Sequence, residues 1–178
     1  LALINALNYN QVLKLPEDKK NQILFDEFKI RKGTRVAMVG YFGPLVDKLI
    51  DRGNEVLILE RAPQRVRERP GVSLIDDARD LGRCRRIVCT AATLINDTLN
   101  EVLAAVAGHR DLELTGPSGS GLPDPLFARG VAAVGGTSFV DRAHPRPGID
   151  RGIADPIALE IAWLLAGLPR LAELCDHV

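Results

Sequence analysis

The rhythm of apolar and polar positions changes at Thr34. Before it the spacing is helical: "LALINALNY" sets Leu3, Ile4 and Leu7 on one stripe. Pro16-Glu17-Asp18 then opens a second helix through about Phe28, with Ile23, Leu24, Glu27 and Phe28 in step, and Lys32-Gly33 is a turn. After Thr34, short apolar runs alternate with helical segments. "RVAMVG" reads as a strand buried on both faces, as parallel strands are. "PLVDKLIDRG" reads as a helix, with proline in its first turn and Gly53-Asn54 as its stop. "EVLILE", "VSLI" and "RIVCTA" are the second to fourth strands, the last two joined by "DDARDLGRC". "LINDTLNEVLAAVAG" is an amphipathic helix that Asn96 or Asp97 could cap, with Leu99, Val102, Leu103 and Val106 on one face. "DLELTG" is a fifth strand and "GVAAVGGTSFVD" a sixth followed by an edge segment. "DPIALEIAWLLAG" is expected to close the chain as a helix, with Asp155 as N-cap and Pro156 at the first helical position.

Strands and helices alternating at this length predict an α/β fold, a three-layer sandwich with a mostly parallel sheet. The expected organisation is a helical N-terminal segment over residues 1–32 and the α/β domain over residues 33–178. At 46% apolar residues, 178 residues can bury one sizeable core without disulfides. Basic and acidic residues balance at 23 each, which argues against a nucleic-acid footprint. The local clusters Arg61–Arg69 and Arg79–Arg86 are interrupted by acids and read as solvated faces. Three cysteines without framework spacing read as reduced thiols of a cytoplasmic protein. The longest apolar stretch carries Asp155, Pro156 and Glu160, so no membrane span is expected, and no secretory signal is visible.

In open parallel sheets, ligands bind beyond the carboxyl ends of the strands, where strand order reverses. Gly40 and Gly43 fall at that end of the first strand, around Tyr41 and Phe42, and the helix from Pro44 would aim its N-terminus into the same space. Glu60 ends the second strand, twenty positions beyond Gly40, a spacing that suits recognition of ribose hydroxyls. The full G-x-G-x-x-G is absent, and Tyr41 and Phe42 would crowd a pyrophosphate. A nucleoside-type ligand such as S-adenosylmethionine therefore fits better than a full dinucleotide. The alternative is that the glycines only close a turn and Glu60 pairs with an arginine. Thr90, Thr93 and Asn96 follow the fourth strand, either at a pocket rim or as caps. "GPSGSG", with Gly116, Pro117 and Ser118, follows the fifth strand, as an anion cradle or as a plain turn.

Preformed metal or catalytic sites are not visible. Cys84 and Cys89 read as buried bystanders. Cys175-Asp176-His177 could offer soft and imidazole ligands, while His109 and His144 sit in exposed loops. The sequence has no C-x-x-C, H-E-x-x-H or G-x-S-x-G, and no general base stands out.

Taken together, "VAMVGYFGPLVDKL", "EVLILER", "TAATLINDTLNEVL", "LTGPSGSGLPDPLFARGV" and "GGTSFVD" resemble the putative heavy-metal chelation domain family, over about Gly33 to Ile161. The most specific elements are the segment Thr93–Thr98 and the G-P-S followed by L-P-x-P-L-F at Gly116–Phe127. The resemblance implies a Rossmann-like domain, usually preceded by a small α+β domain like the N-terminal domain of enolase. "LALINALNYN" would then be the last helix of that preceding domain. It also implies handling of a metal or a metal-chelating cofactor, with a connection to anaerobic cobalamin synthesis, in a cleft between the two domains. On matching positions Gly40, Gly43, Glu60, Thr93, Asn96, Gly116, Pro117 and Ser118 would line the site. The expected function is binding of a small molecule, a metal chelate or a nucleoside-type cofactor. The alternatives are an S-adenosylmethionine-dependent transferase and a non-catalytic domain forming a homodimer through the C-terminal helix.

Overall fold

The computed structural model describes residues 1–12, 30–107, 111–140 and 158–165, of which 137–140 and 158–165 are described by backbone alone. Two short helices, α1 (Ala2–Leu7) and α2 (Tyr9–Val12), come first. The sheet then follows as β1 (Arg35–Val39), α3 (Gly43–Asp51), β2 (Glu55–Leu59), β3 (Val72–Ile75) and β4 (Arg86–Thr90). It continues through α4 (Leu99–Ala105), β5 (Leu112–Thr115), α5 (Asp124–Phe127), β6 (Ala133–Val140) and β7 (Ala158–Leu165). The strand order is β3-β2-β1-β4-β5-β6-β7. Every pairing from β3 to β6 is parallel, and β7 adds an antiparallel edge. This is the Rossmann order with the mostly parallel sheet that the sequence predicts.

The continuous apolar runs explain the layers. Along β1, Val36 and Met38 join a cluster with Val56, Ile58, Val88 and the α3 residues Val46 and Leu49. Ala37 and Val39 face the other way, toward Ile87, Cys89, Leu114 and the α4 residues Leu99 and Val102. A strand covered on both sides has no polar face to show, so alternation disappears from its sequence. Asn54 is buried at the start of β2, where its amide donates to the carbonyls of Arg31 (2.6 Å) and Thr34 (3.0 Å) and fastens the entry to β1. The Arg79–Arg86 cluster pairs with acids as expected of a solvated face, for example Arg79 with Asp77 and Arg83 with Asp80, whereas in the other cluster Arg69 is partly buried and pairs with Asp47 of α3.

Two expectations change. Residues 158–165 run as strand β7 along β6, with Ala133 opposite Leu165, and not as the closing helix. An uninterrupted apolar run has no period to separate a buried strand from a buried helix, and pairing with β6 overrides the helix preference of Ala and Leu. The homodimer expected through that helix loses its element. The second change is before α4: Ala91–Leu94 forms a 3-10 turn, and Thr98 holds the N-cap position in place of Asn96 or Asp97. The helix expected over Pro16–Phe28 lies outside the described residues. Helix α1 forms as expected, but Leu3, Ile4 and Leu7 are exposed. Among the described residues no helix is long and apolar enough to cross a membrane.

Candidate functional site

Strand order reverses between β1 and β4, and the carboxyl ends of these strands define the crevice where such sheets take ligands. Gly40 makes the turn out of β1 at φ +84°, and its N–H bonds Leu59 O at 2.9 Å. A Cβ here would sit 2.9 Å from Thr90 Cγ2, so the turn lies directly against the end of β4. The loop after β4 in turn meets the loop after β5: Cβ atoms at Gly116 and Gly119 would lie 3.7 and 3.4 Å from Ala91 Cβ. The three turns thus form one continuous rim. Gly40→Ala should cost about 1–2 kcal/mol from backbone strain alone, with the clash against Thr90 on top. Adding Thr90→Ser removes the offending methyl, so the double variant should regain the clash component and keep the strain. Urea unfolding of the three proteins measures both parts.

The rim residues differ in what they leave free. Tyr41 and Phe42 are half-buried and pack toward the α3-side core. The Tyr41 ring also lies over Gly43, with its hydroxyl 3.6 Å from where a Cβ would be. The ring roofs the start of α3, which is where a pyrophosphate would rest. Glu60 is half-buried, and one carboxylate oxygen accepts the N–H of Ala62 at 3.0 Å, a local turn and not the arginine pairing considered above. Thr93 is 2% exposed, its hydroxyl donates to Thr90 O at 2.7 Å, and it serves the turn from inside. Asn96 is exposed and its side-chain oxygen accepts from Thr98 Oγ1 at 2.6 Å. Gly116 bonds Gly135 O, extending the β5–β6 ladder at φ +129°, and Pro117 begins a 3-10 turn. The N–H groups of Gly119 and Ser120 fold back onto the carbonyls of Gly116 and Pro117. Those two amides are spent within the loop, so the cradle reading loses two of its donors.

Three residues escape the sequence reading. Asn5 of α1 reaches Ser118 O at 3.4 Å, and its Oδ1 lies 2.9 Å from a Cβ built on Gly121, so α1 rests on the loop after β5. Gly136 in β6 lets Ser120 approach so closely that a Cβ would lie 2.9 Å from Ser120 Cα. The Gly135-Gly136 pair inside a strand was the available signal for that approach. Glu113 lies in the middle of β5 at 1% exposure, between Val88 and Ala133 in register.

The described residues do not fit a bare heavy-metal ion. Among them no three His, Cys, Asp or Glu side chains gather as a ligand set. Cys89 faces Thr93 Oγ1 at 3.7 Å, and burial pushes its thiol up to about 12, far from the thiolate that binds soft metals. Cys84 is also buried and its thiol is pushed up by burial. The segment Cys175-Asp176-His177 and the loop histidines His109 and His144 lie outside the described residues.

Comparison with known proteins agrees with this architecture. A structure of a family protein of unknown function from Desulfitobacterium hafniense DCB-2 superposes with a TM-score of 0.63 at 19% identity, covering 92% of this chain and 64% of that one. Another, from Pyrococcus horikoshii, gives 0.60 at 19% identity over 79% of this chain and 55% of that one. The chain thus spans somewhat over half the length of these two relatives. Comparison with curated proteins found no match. The model of one family, DUF364, described as putative heavy-metal chelation, matches residues 23–156, well over half the chain. On that match the chain belongs to the DUF364 family.

Proposed function

We propose that this protein binds a small polar ligand, a metal chelate or a nucleoside-type cofactor, at the carboxyl edge of its sheet. The observation that carries the reading is the continuous rim from Gly40 through Thr90 and Ala91 to Gly116 and Gly119 at the reversal of strand order. The family's description supports a ligand that contains a heavy metal. The glycine, threonine and serine character of the rim supports a metal that arrives already wrapped in an organic chelator, held by hydrogen bonds to its periphery. Glu60, at the end of β2, favours a second reading, an enzyme using S-adenosylmethionine, because an acid there can accept from ribose hydroxyls. The roof formed by Tyr41 over the start of α3 disfavours a dinucleotide.

Thermal shift assays with nickel–nitrilotriacetate, free nickel and S-adenosylmethionine test the reading. Saturable stabilisation by the chelate or the nucleoside is expected. Stabilisation by free nickel alone would overturn it, as would no response to any probe. Glu60→Ala should lower a nucleoside response at least tenfold, leave a chelate response in place and leave the melting temperature without ligand within a few degrees. Unchanged nucleoside affinity would remove Glu60 from the site.

A further inference from the structure

The sheet ends at β3, which pairs with β2 on one side only. In a parallel pair, alternate residues aim their backbone groups at the neighbouring strand. Val56 stands opposite Val72 and its N–H bonds Gly71 O at 2.8 Å, so Gly71, Ser73 and Ile75 turn toward β2. Val72 and Leu74 therefore direct their backbone groups outward. The N–H of Val72 is spent on Arg69 O at 3.2 Å. The open edge thus presents Val72 O together with the N–H and O of Leu74.

The α3 side of this edge is bare as well. Parallel crossovers ordinarily lay a helix over the sheet, but the crossover from β2 to β3 holds only a 3-10 turn, Pro63–Arg65. Val72 packs toward the α3-side core, and Leu74, two residues on and therefore on the same face, stays 44% exposed. Natural edge strands commonly carry a lysine or another charge to prevent pairing, and β3 carries a leucine. Charge differs between its two ends. Asp76 follows β3, while Arg65 and Arg67 precede it with Glu68 as the single acid among residues 65–68. Asp76, Arg65 and Arg67 are exposed and have no ion-pair partner among the described residues.

We propose that two copies of this chain pair antiparallel through β3, as a two-fold dimer with one continuous sheet. A two-fold sets the same patch against itself, so the edge must be self-complementary. A register centred on Leu74 meets that condition: each Leu74 N–H reaches Leu74 O of the other copy, a free donor on a free acceptor. Registers centred on Val72 or Ser73 would call on the engaged Val72 N–H, and one centred on Ile75 would need Asp76, past the end of the strand. The axis stands perpendicular to the sheet, so both Leu74 side chains emerge on the α3 side, about 5.5 Å apart at Cα, and cover each other. Antiparallel pairing also brings the Asp76 end of one copy to the basic approach of the other. None of these residues belongs to the rim described above, so dimer and rim stand or fall separately.

Sedimentation velocity of the whole chain over roughly 1–500 μM should show a monomer passing to a dimer, weak because the shared edge is short. Leu74→Lys should raise the dissociation constant about tenfold or more and leave the melting temperature of the monomer within a few degrees. Leu74→Cys, with Cys175→Ser to remove a competing thiol, should oxidise readily to a covalent dimer. Ser73→Cys in the same background should not, because the two Ser73 Cα atoms lie beyond the ~7 Å that a disulfide spans. A monomer at every concentration, a dimer unaffected by Leu74→Lys, or cross-linking as efficient from Ser73→Cys as from Leu74→Cys would each overturn the proposal. If Leu74→Lys does not fold, the two cysteine variants still decide.

Discussion

Replacing Glu113 by methionine should stabilise the protein at pH 7 by about 1–3 kcal/mol, the cost of burying a polar group without a partner. Glu113 is held in the sheet between Val88 and Ala133, and both carboxylate oxygens are buried without a hydrogen-bond partner among the described residues. Burial pushes its carboxyl well above the usual carboxylate range. The sign follows from linkage. Above about pH 4.3, where the unfolded chain releases this proton, the folded chain still holds it, and ionising it in place is unfavourable. This group's contribution is therefore fully favourable below the unfolded value. It declines as pH rises, until the folded value is passed. Urea unfolding at pH 5 and pH 8 should show a smaller loss of stability on raising pH for Glu113→Met than for the unaltered chain. Glu113→Gln should flatten the pH dependence equally while gaining less, because an amide keeps the unsatisfied polar atoms. A methionine variant less stable at both pH values would mean that the carboxylate makes a favourable interaction.

Gly136→Ala should have the opposite effect, a loss of about 1–3 kcal/mol of the kind seen on overpacking a filled core. A methyl group there would meet Ser120 Cα at 2.9 Å and Gly119 O at 3.2 Å. Those are backbone atoms and cannot rotate aside, so the loop over Gly116–Ser120 must shift as a unit. That loop also carries the contact with Asn5. Amide hydrogen exchange should therefore speed up in Gly116–Ser120 and in α1, with β1 and β2 unchanged. Unchanged exchange and stability would show that β6 and the loop are less tightly opposed than the geometry requires.

Fold and site were legible to different depths. Strands β1 to β6 could be read because strands buried on both faces are written as unbroken apolar runs between turn signals, and the place of the candidate site was proposed from the topology of such sheets. The same lack of period hid β7, whose "ALEIAWLL" suits a helix equally well until β6 pairs with it. The contents of the rim were harder. Thr93 and Asn96 have the composition of ligand contacts, but their side chains serve the turn that precedes α4. Asn5 could not be placed, because its contact with Ser118 joins positions 113 residues apart. Glu113 was missed because a glutamate between two leucines reads as the solvent side of an alternating strand, and only the full sheet shows that side to be covered.

The central claim, one binding surface made by three separate turns, is tested most directly by amide chemical-shift mapping of the isotope-labelled chain titrated with zinc–nitrilotriacetate, the diamagnetic counterpart of the nickel chelate, and, separately, with S-adenosylmethionine. The account predicts that at least one of these probes shifts residues from Gly40–Gly43, Thr90–Leu94 and Gly116–Ser118 together, along a single saturation curve. Shifts confined to one turn, shifts that fall elsewhere in the sheet, or no saturable shift with either probe would contradict it.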